Sequence, residues 1–213
     1  MAKRICSILL ISNSYDSFSL EEDGRLDTQI AQEYAGLNLS NPPQLIRVQS
    51  TAEALARLEA GERFDLVITM YYVGEINVFD FAARAKALDP EMPVVLLTAF
   101  SREVSRKIDE SGRGCIDYIF CWNYSTDLII AIIKLLEDRI NAESDILEHG
   151  VQAILLVEDS IRYYSTYLPA LYNIVLQQNR EAVKDALNEQ QQVLRKRSRP
   201  KILLATNYQD ASD

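Results

Sequence analysis

The sequence predicts an α/β protein built on a doubly wound parallel sheet, and three observations predict it. Over residues 1–148, apolar β-branched runs alternate with amphipathic helical patterns. Those runs are nearly continuous in Val, Ile and Leu, as in strands covered on both faces. One stretch is also written twice. Ser7-Ile8-Leu9-Leu10-Ile11-Ser12-Asn13-Ser14 returns as Ala153-Ile154-Leu155-Leu156-Val157-Glu158-Asp159-Ser160, with residue 153 answering residue 7 and residue 160 answering residue 14. Each copy is a buried strand that ends in polar residues, at the sheet edge where doubly wound folds bind ligands. The second copy places Glu158 and Asp159 there, and the first places Ser12 and Asn13.

The elements follow in order. After the opening strand and a polar, turn-rich stretch over 12–24, Leu26, Ile30, Tyr34 and Leu37 recur at helical spacing. Asn41-Pro42-Pro43 breaks the chain, and Gln44–Val48 alternates as a strand. Ser50 or Thr51 caps a second helix carrying Ala54, Leu55 and Leu58, with Glu53 placed for a capping-box-like start and Gly61 at its end. Phe64–Met70 is the third strand, and Phe79–Leu88 is a helix that stops before Asp89-Pro90. Pro93–Thr98 is the fourth strand, Ser101–Ser111 a short polar helix closed by Gly112, and Ile116–Cys121 the fifth strand. A long helix from Thr126 carries Leu128, Ile129, Ile132, Ile133, Leu136 and Ile140 along one side. Right-handed crossovers leave few topologies for five such strands, and the flavodoxin-like order 2-1-3-4-5 is the natural one.

Residues 149–213 form a second, partial unit, so the expected domains are 1–148 and 149–213. Ala153–Val157 is its first strand, and Asp159 or Ser160 caps a helix striped by Tyr164, Tyr167, Leu168, Leu171 and Val175. Pro169 should kink that helix. A second helical run spans about Gln178–Arg197, and Pro200–Thr206 is a closing strand. Two strands and a Tyr-rich helix leave an open sheet edge. The expectation is that 150–213 packs on the first unit or mediates self-association as a homodimer.

Composition sets the outer bounds. Of 213 residues 48% are hydrophobic, enough for a core, with few Gly and Pro. The net charge of −9 argues against broad nucleic-acid binding. No apolar run reaches a membrane span, and Met1–Cys6 leads into a strand instead of a secretion signal. Three unpatterned cysteines suit a reducing compartment. A cytoplasmic protein with no membrane and no nucleic-acid partner is expected.

Three stretches then carry a resemblance. Phe64-Asp65-Leu66-Val67-Ile68-Thr69, Met92-Pro93-Val94-Val95-Leu96-Leu97-Thr98-Ala99 and Gly114-Cys115-Ile116-Asp117-Tyr118-Ile119 together resemble the response-regulator receiver domain of bacterial two-component systems. The resemblance implies an acidic pair after strand one that holds Mg²⁺, a phosphoacceptor aspartate ending strand three, a threonine ending strand four and a lysine ending strand five. Carried over position by position, the acidic pair falls on Ser12 and Asn13, the acceptor on Met70, the lysine on Cys121 and the proline after it on Trp122. Thr98 matches the threonine, and Tyr118 matches the aromatic that moves with it. A thioether accepts no phosphoryl group, Mg²⁺ needs oxygen ligands, and the product needs a cation. The resemblance therefore implies a degenerate pseudo-receiver with no catalytic residues. It would act in signal transduction through protein partners, such as a histidine kinase or a downstream output domain. The family's contact face corresponds to Ser101–Ser111, Ile116–Cys121 and Thr126–Ile140.

Ala153–Ser160, with its acids, resembles the start of an intact receiver, and tandem receiver-like units of this kind resemble those ahead of phosphoenolpyruvate-synthase-like enzymes. The expectation is a fragment of a longer protein, in which a second receiver completed beyond Asp213 is the phosphorylated one in the alternative reading. Glu158 and Asp159 are the candidate Mg²⁺ ligands, and no other cofactor is expected.

The remaining chemistry-bearing residues have plainer readings. Cys121 lacks a neighbour that would activate a thiol, and Cys6 and Cys115 read as structural. His149, the lone histidine, suits a helix C-terminus. Met70-Tyr71-Tyr72-Val73 could stack a flavin, but no phosphate-binding glycine loop accompanies it. Arg195-Lys196-Arg197, Arg199 and Lys201 could touch nucleic acid or an acidic partner, and a solvated helix end explains them as well.

Overall fold

The computed structural model describes residues 3–13, 26–36, 39, 41–71, 73–99, 114–122, 125–184 and 199–212. The predicted helix over Ser101–Ser111, and the predicted run from 185 to Arg197, lie outside them, as do Leu37, Tyr72 and Arg195-Lys196-Arg197.

Five parallel strands form the main sheet. They are β1 (Ser7–Ile11), β2 (Gln44–Val48), β3 (Leu66–Met70), β4 (Val94–Thr98) and β5 (Tyr118–Cys121), in the order β2-β1-β3-β4-β5. This is the flavodoxin-like order. Every residue of β3 and β4 is buried, which is why both read as unbroken apolar runs. Each fully buried Leu, Ile or Val contributes about 1.5–3 kcal/mol.

Two aspartates set the strand starts. Asp65 Oδ2 accepts from the backbone N–H groups of Cys6 (2.8 Å) and Ser7 (2.9 Å), pinning β3 to β1. Asp117 Oδ2 likewise accepts from Val94 N–H (2.7 Å), tying β5 to β4, and pairs with Lys86 at 2.9 Å.

The helices are α1 (Leu26–Gly36), α2 (Thr51–Glu59), α3 (Val78–Leu88), α4 (Thr126–Glu143), α5 (Ile161–Lys184) and α6 (Tyr208–Ser212). Ser50 caps α2 by accepting from Glu53 N–H, while Glu53 Oε2 accepts from Gln49 N–H, the reciprocal start its spacing predicts. Gly61 ends that helix with φ 89°, a conformation glycine adopts without strain. A π-helical turn over Ser144–Glu148 follows α4, and His149 Nδ1 lies 2.9 Å from the Ser144 carbonyl.

A second sheet pairs β6 (Ala153–Val157) with β7 (Lys201–Ala205) in parallel. Helix α5 runs through Pro169 without a break, and continues to Lys184 across the gap predicted between two helices.

The chain divides into two compact units: Ile5–Ala31 with Pro42–Tyr124, and Met1–Arg4 with Gln32–Asn41 and Ser125–Asp213. The division differs from a boundary at 148/149, because α4 groups with the later residues, packing against α5 and β7.

Candidate functional site

The carboxyl edge of the five-stranded sheet gathers the positions the sequence singles out. Ile11 pairs with Val48 on one side and Thr69 on the other, Met70 pairs with Leu97, and Thr98 pairs with Cys121. Ser12, Asn13, Met70, Thr98 and Cys121 therefore stand together at the ends of β1, β3, β4 and β5. Ser12 is buried, and its N–H donates to Val48 O (3.1 Å). Met70 is 5% exposed. The Thr98 hydroxyl donates to Ala99 O at 3.2 Å, and the Thr69 hydroxyl to Met70 O at 3.1 Å, so both turn back to the chain. Tyr118 is buried, its ring tilted against Phe120 at 6.1 Å. These positions supply hydroxyls, an amide, a thioether and a thiol, but neither a carboxylate nor a cation.

Glu158 and Asp159 stand at the end of β6. Glu158 Oε1 accepts from Ser160 N–H at 3.0 Å and so serves the start of α5, while Asp159 is exposed. Among the described residues no group of three or more His, Cys, Asp and Glu side chains is placed to hold a metal. A hard cation takes six or more oxygens, so two adjacent acids with one oxygen already engaged do not fit a Mg²⁺ centre by themselves.

Three other expectations need correction. Cys6 and Cys115 are exposed, because they lie in the connections that precede β1 and β5. Ile140 is 43% exposed and leaves the apolar side of α4. Arg199 and Lys201 are not a solvated cluster, with side chains only 10% and 11% exposed.

Those two cations belong to a site that reading the sequence missed. Asp138, on α4, is wholly buried. Its carboxylate accepts from both Arg199 Nη atoms, Tyr172 Oη (2.9 Å) and the backbone N–H of Ile202 (3.0 Å). Lys201 bridges from Asp138 (3.7 Å) to Asp145 (2.7 Å). Burial, reinforced by the Asp138 charge, holds the Tyr172 phenol well above its usual range. Arg199 resists its own burial because Asp138 holds the guanidinium charged. One turn earlier, Lys134 pairs with Glu137 at 2.7 Å and lies 4.9 Å from the centre of the Tyr34 ring. Burial lowers the Lys134 ammonium despite Glu137. A signal was present: Leu128–Leu136 is apolar at every position but Lys134, the mark of a helix covered all round. Helix α4 is buried from Leu128 to Asp138, so it is no free contact face, and Ser101–Ser111 lies outside the described residues.

No protein-family model matches the chain, and no curated protein matches it. Solved structures do. The signal receiver domain of an HD domain-containing protein from Pseudomonas fluorescens Pf-5 is 18% identical, with TM-score 0.45, over 68% of this chain and 96% of that one. A CheY-like response regulator receiver domain from Methanospirillum hungatei JF-1 is 19% identical, with TM-score 0.47, over 65% and 98%. The receiver domain of a sensor histidine kinase from Pseudomonas aeruginosa PAO1, which has a magnesium ion coordinated in its active site cleft, is 14% identical, with TM-score 0.43, over 62% and 96%. At these identities and scores the likeness carries nothing about function, and the fold assignment rests on the strand pairing itself. Among the described residues no helix is long and apolar enough to cross a membrane.

Proposed function

We propose that the chain is a regulatory module of signal transduction whose five-stranded unit is receiver-like but takes no phosphoryl group. It works through protein contacts, with a histidine kinase, an output domain or a second copy of itself. The observation that supports this reading is the set of residues meeting at the carboxyl edge. Ser12, Asn13, Met70 and Cys121 occupy the positions that phosphoryl transfer needs as acids, acceptor and cation. The test is the intact mass of the purified chain after incubation with a small phosphodonor and Mg²⁺. The expected result is an unchanged mass. A labile phosphoryl adduct would overturn the reading.

Thr98 and Tyr118 keep the residue types of a receiver switch, and in this proposal a bound partner biases them in place of phosphate. Tyr118→Ala should weaken partner binding, measured once a partner is in hand, and unchanged binding would remove the switch.

A second reading is favoured by one observation, the repetition of the β1–β2 strand pair in β6–β7. Ser12 N–H donates to Val48 O at 3.1 Å, and Glu158 N–H donates to Ala205 O at 3.0 Å. Gln44 N–H donates to Cys6 O at 2.8 Å, and Lys201 N–H donates to Gln152 O at 2.9 Å. The copy that carries Glu158-Asp159 is then the start of a receiver whose acceptor strand comes from outside these 213 residues. That receiver would be the phosphorylated one, and Mg²⁺ would bind only once the acceptor aspartate joined the pair. A chain extended to include that strand should take up phosphate, and a mass unchanged by phosphodonor would remove this reading.

A further inference from the structure

We infer that the open edge of β6 is a self-association surface, on which two copies of this chain pair their β6 strands antiparallel about a two-fold axis through Leu155. The result is one four-stranded sheet, ordered β7–β6–β6–β7. This deepens the second-copy contact proposed above. It does not depend on whether the carboxyl edge of the main sheet takes phosphate, and it excludes the second reading, in which an added acceptor strand takes this edge of β6.

Among the described residues β6 has one strand neighbour, β7. The bonds from Lys201 N–H to Gln152 O and from Glu158 N–H to Ala205 O turn the even-numbered backbone groups of β6 toward β7. Alternation along a strand then sends the amides and carbonyls of Ala153, Leu155 and Val157 to the opposite edge. The side chains of the same three residues are exposed, Leu155 by 49% and Val157 by 55%. In the repeated pair, β3 occupies this edge of β1, and Leu9 and Ile11 are fully buried. Edge strands are ordinarily blunted by Lys, Pro or a bulge, and Ala153-Ile154-Leu155-Leu156-Val157 contains neither residue and pairs in unbroken register.

Three features commit the edge to a second copy in this orientation. The far edge of β7 is blocked at Ile202, whose N–H donates to the buried Asp138 carboxylate and whose carbonyl accepts from Tyr172 Oη at 3.4 Å. The sheet therefore grows in one direction only, which gives a closed pair and not a filament. A register centred on Leu155 sets Leu155 opposite Leu155 and Ala153 opposite Val157, which satisfies every outward amide and carbonyl on both copies. Charge decides the direction. Antiparallel pairing sets Glu158 and Asp159 of each copy against the uncharged Gln152 and Val151 of the other, whereas in-register parallel pairing would stack acid on acid.

Light scattering on the full chain tests the proposal. The wild type should have twice the 24.2 kDa chain mass, and Leu155→Lys, which opposes two ammonium groups on the two-fold axis, should halve it. A second measurement covers a variant that fails to fold. In a chain with Cys6, Cys115 and Cys121 replaced by Ser, Leu155→Cys should form a covalent dimer on mild oxidation. Directly opposed Cα atoms lie about 5.5 Å apart, within disulfide reach. Ile174→Cys, exposed on α5, should not cross-link. A monomeric wild type would overturn the inference and leave the edge to a strand from another protein. So would a dimer that survives Leu155→Lys while Leu155→Cys fails to cross-link.

Discussion

Asp138 carries four hydrogen bonds and no exposed surface, and the phenol of Tyr172 supplies one of them. A buried carboxylate is tolerable only when it is paired and hydrogen-bonded, so each donor helps determine whether α4 can hold a charge there. The phenol also gives the fold an alkaline limit. Burial and the Asp138 charge raise the folded-state pKa of Tyr172 above its unfolded value near 10. Its contribution is therefore complete below about pH 10 and is lost as pH rises through the folded value, because the unfolded chain releases a proton that the folded chain keeps. The slope approaches about 1.4 kcal/mol per pH unit. Lys134 has the opposite sign: its folded pKa is lowered, so it adds stability as pH rises toward 10.5. Denaturant unfolding at a series of alkaline pH values separates the two. Tyr172→Phe should cost about 1.5–3 kcal/mol near neutral pH, where it removes a bond to a charged acceptor. It should also lose less stability than wild type above pH 10, and an unchanged alkaline slope would show that Tyr172 does not set the limit.

Elements whose surroundings are local were legible in the sequence, and those covered from far along the chain were less so. β2 matches its predicted span because Asn41-Pro42-Pro43 and Ser50 mark both ends. The cap of α2 was readable for the same reason, since Ser50 and Glu53 form its hydrogen bonds within one turn. Pro169 lies inside α5, which continues across it to Lys184. A proline removes one amide bond, but Tyr164, Leu168, Tyr172 and Val175 around it are buried, and that packing carries the helix across. Helix α4 misled most. Its apolar stripe marks one side only, yet Lys134, Glu137 and Asp138 are buried as well. Their partners lie elsewhere in the chain, Tyr34 in α1 and Arg199 and Lys201 at the start of β7, and a periodicity within one helix carries no information about them. At the carboxyl edge the residue identities were readable from the strand ends alone, because a parallel strand delivers its last residues to that edge.

The two compact units do not occupy consecutive stretches of chain, and this has a measurable consequence. Residues Met1–Arg4 and Gln32–Asn41 group with Ser125–Asp213, so the chain passes between units before the main sheet is complete. Inside the later unit, Lys3 N–H donates to Asn141 Oδ1 (2.7 Å), and Asn141 Nδ2 donates to Lys3 O (2.8 Å), which ties the amino terminus to α4. A chain of residues 1–148 contains all five strands of the main sheet and the whole of α4. On strand content alone it should fold as an independent domain. Yet ending there removes Tyr172, Arg199 and the Ile202 amide from Asp138 together, and removes α5 and β7 from the side of α4 they cover. Those deletions return the Asp138 carboxylate to water, so the cost is the apolar surface left exposed on α4, about 25 cal/mol per Å². Native single domains are stable by only about 5–15 kcal/mol. Residues 1–148 alone should therefore melt far below the full chain, or aggregate, when the two are compared by thermal unfolding followed by circular dichroism. If residues 1–148 unfold cooperatively within a few degrees of the full chain, then the Asp138 cluster is not what holds α4 in place, and the boundary at 148/149 is also the boundary of stability.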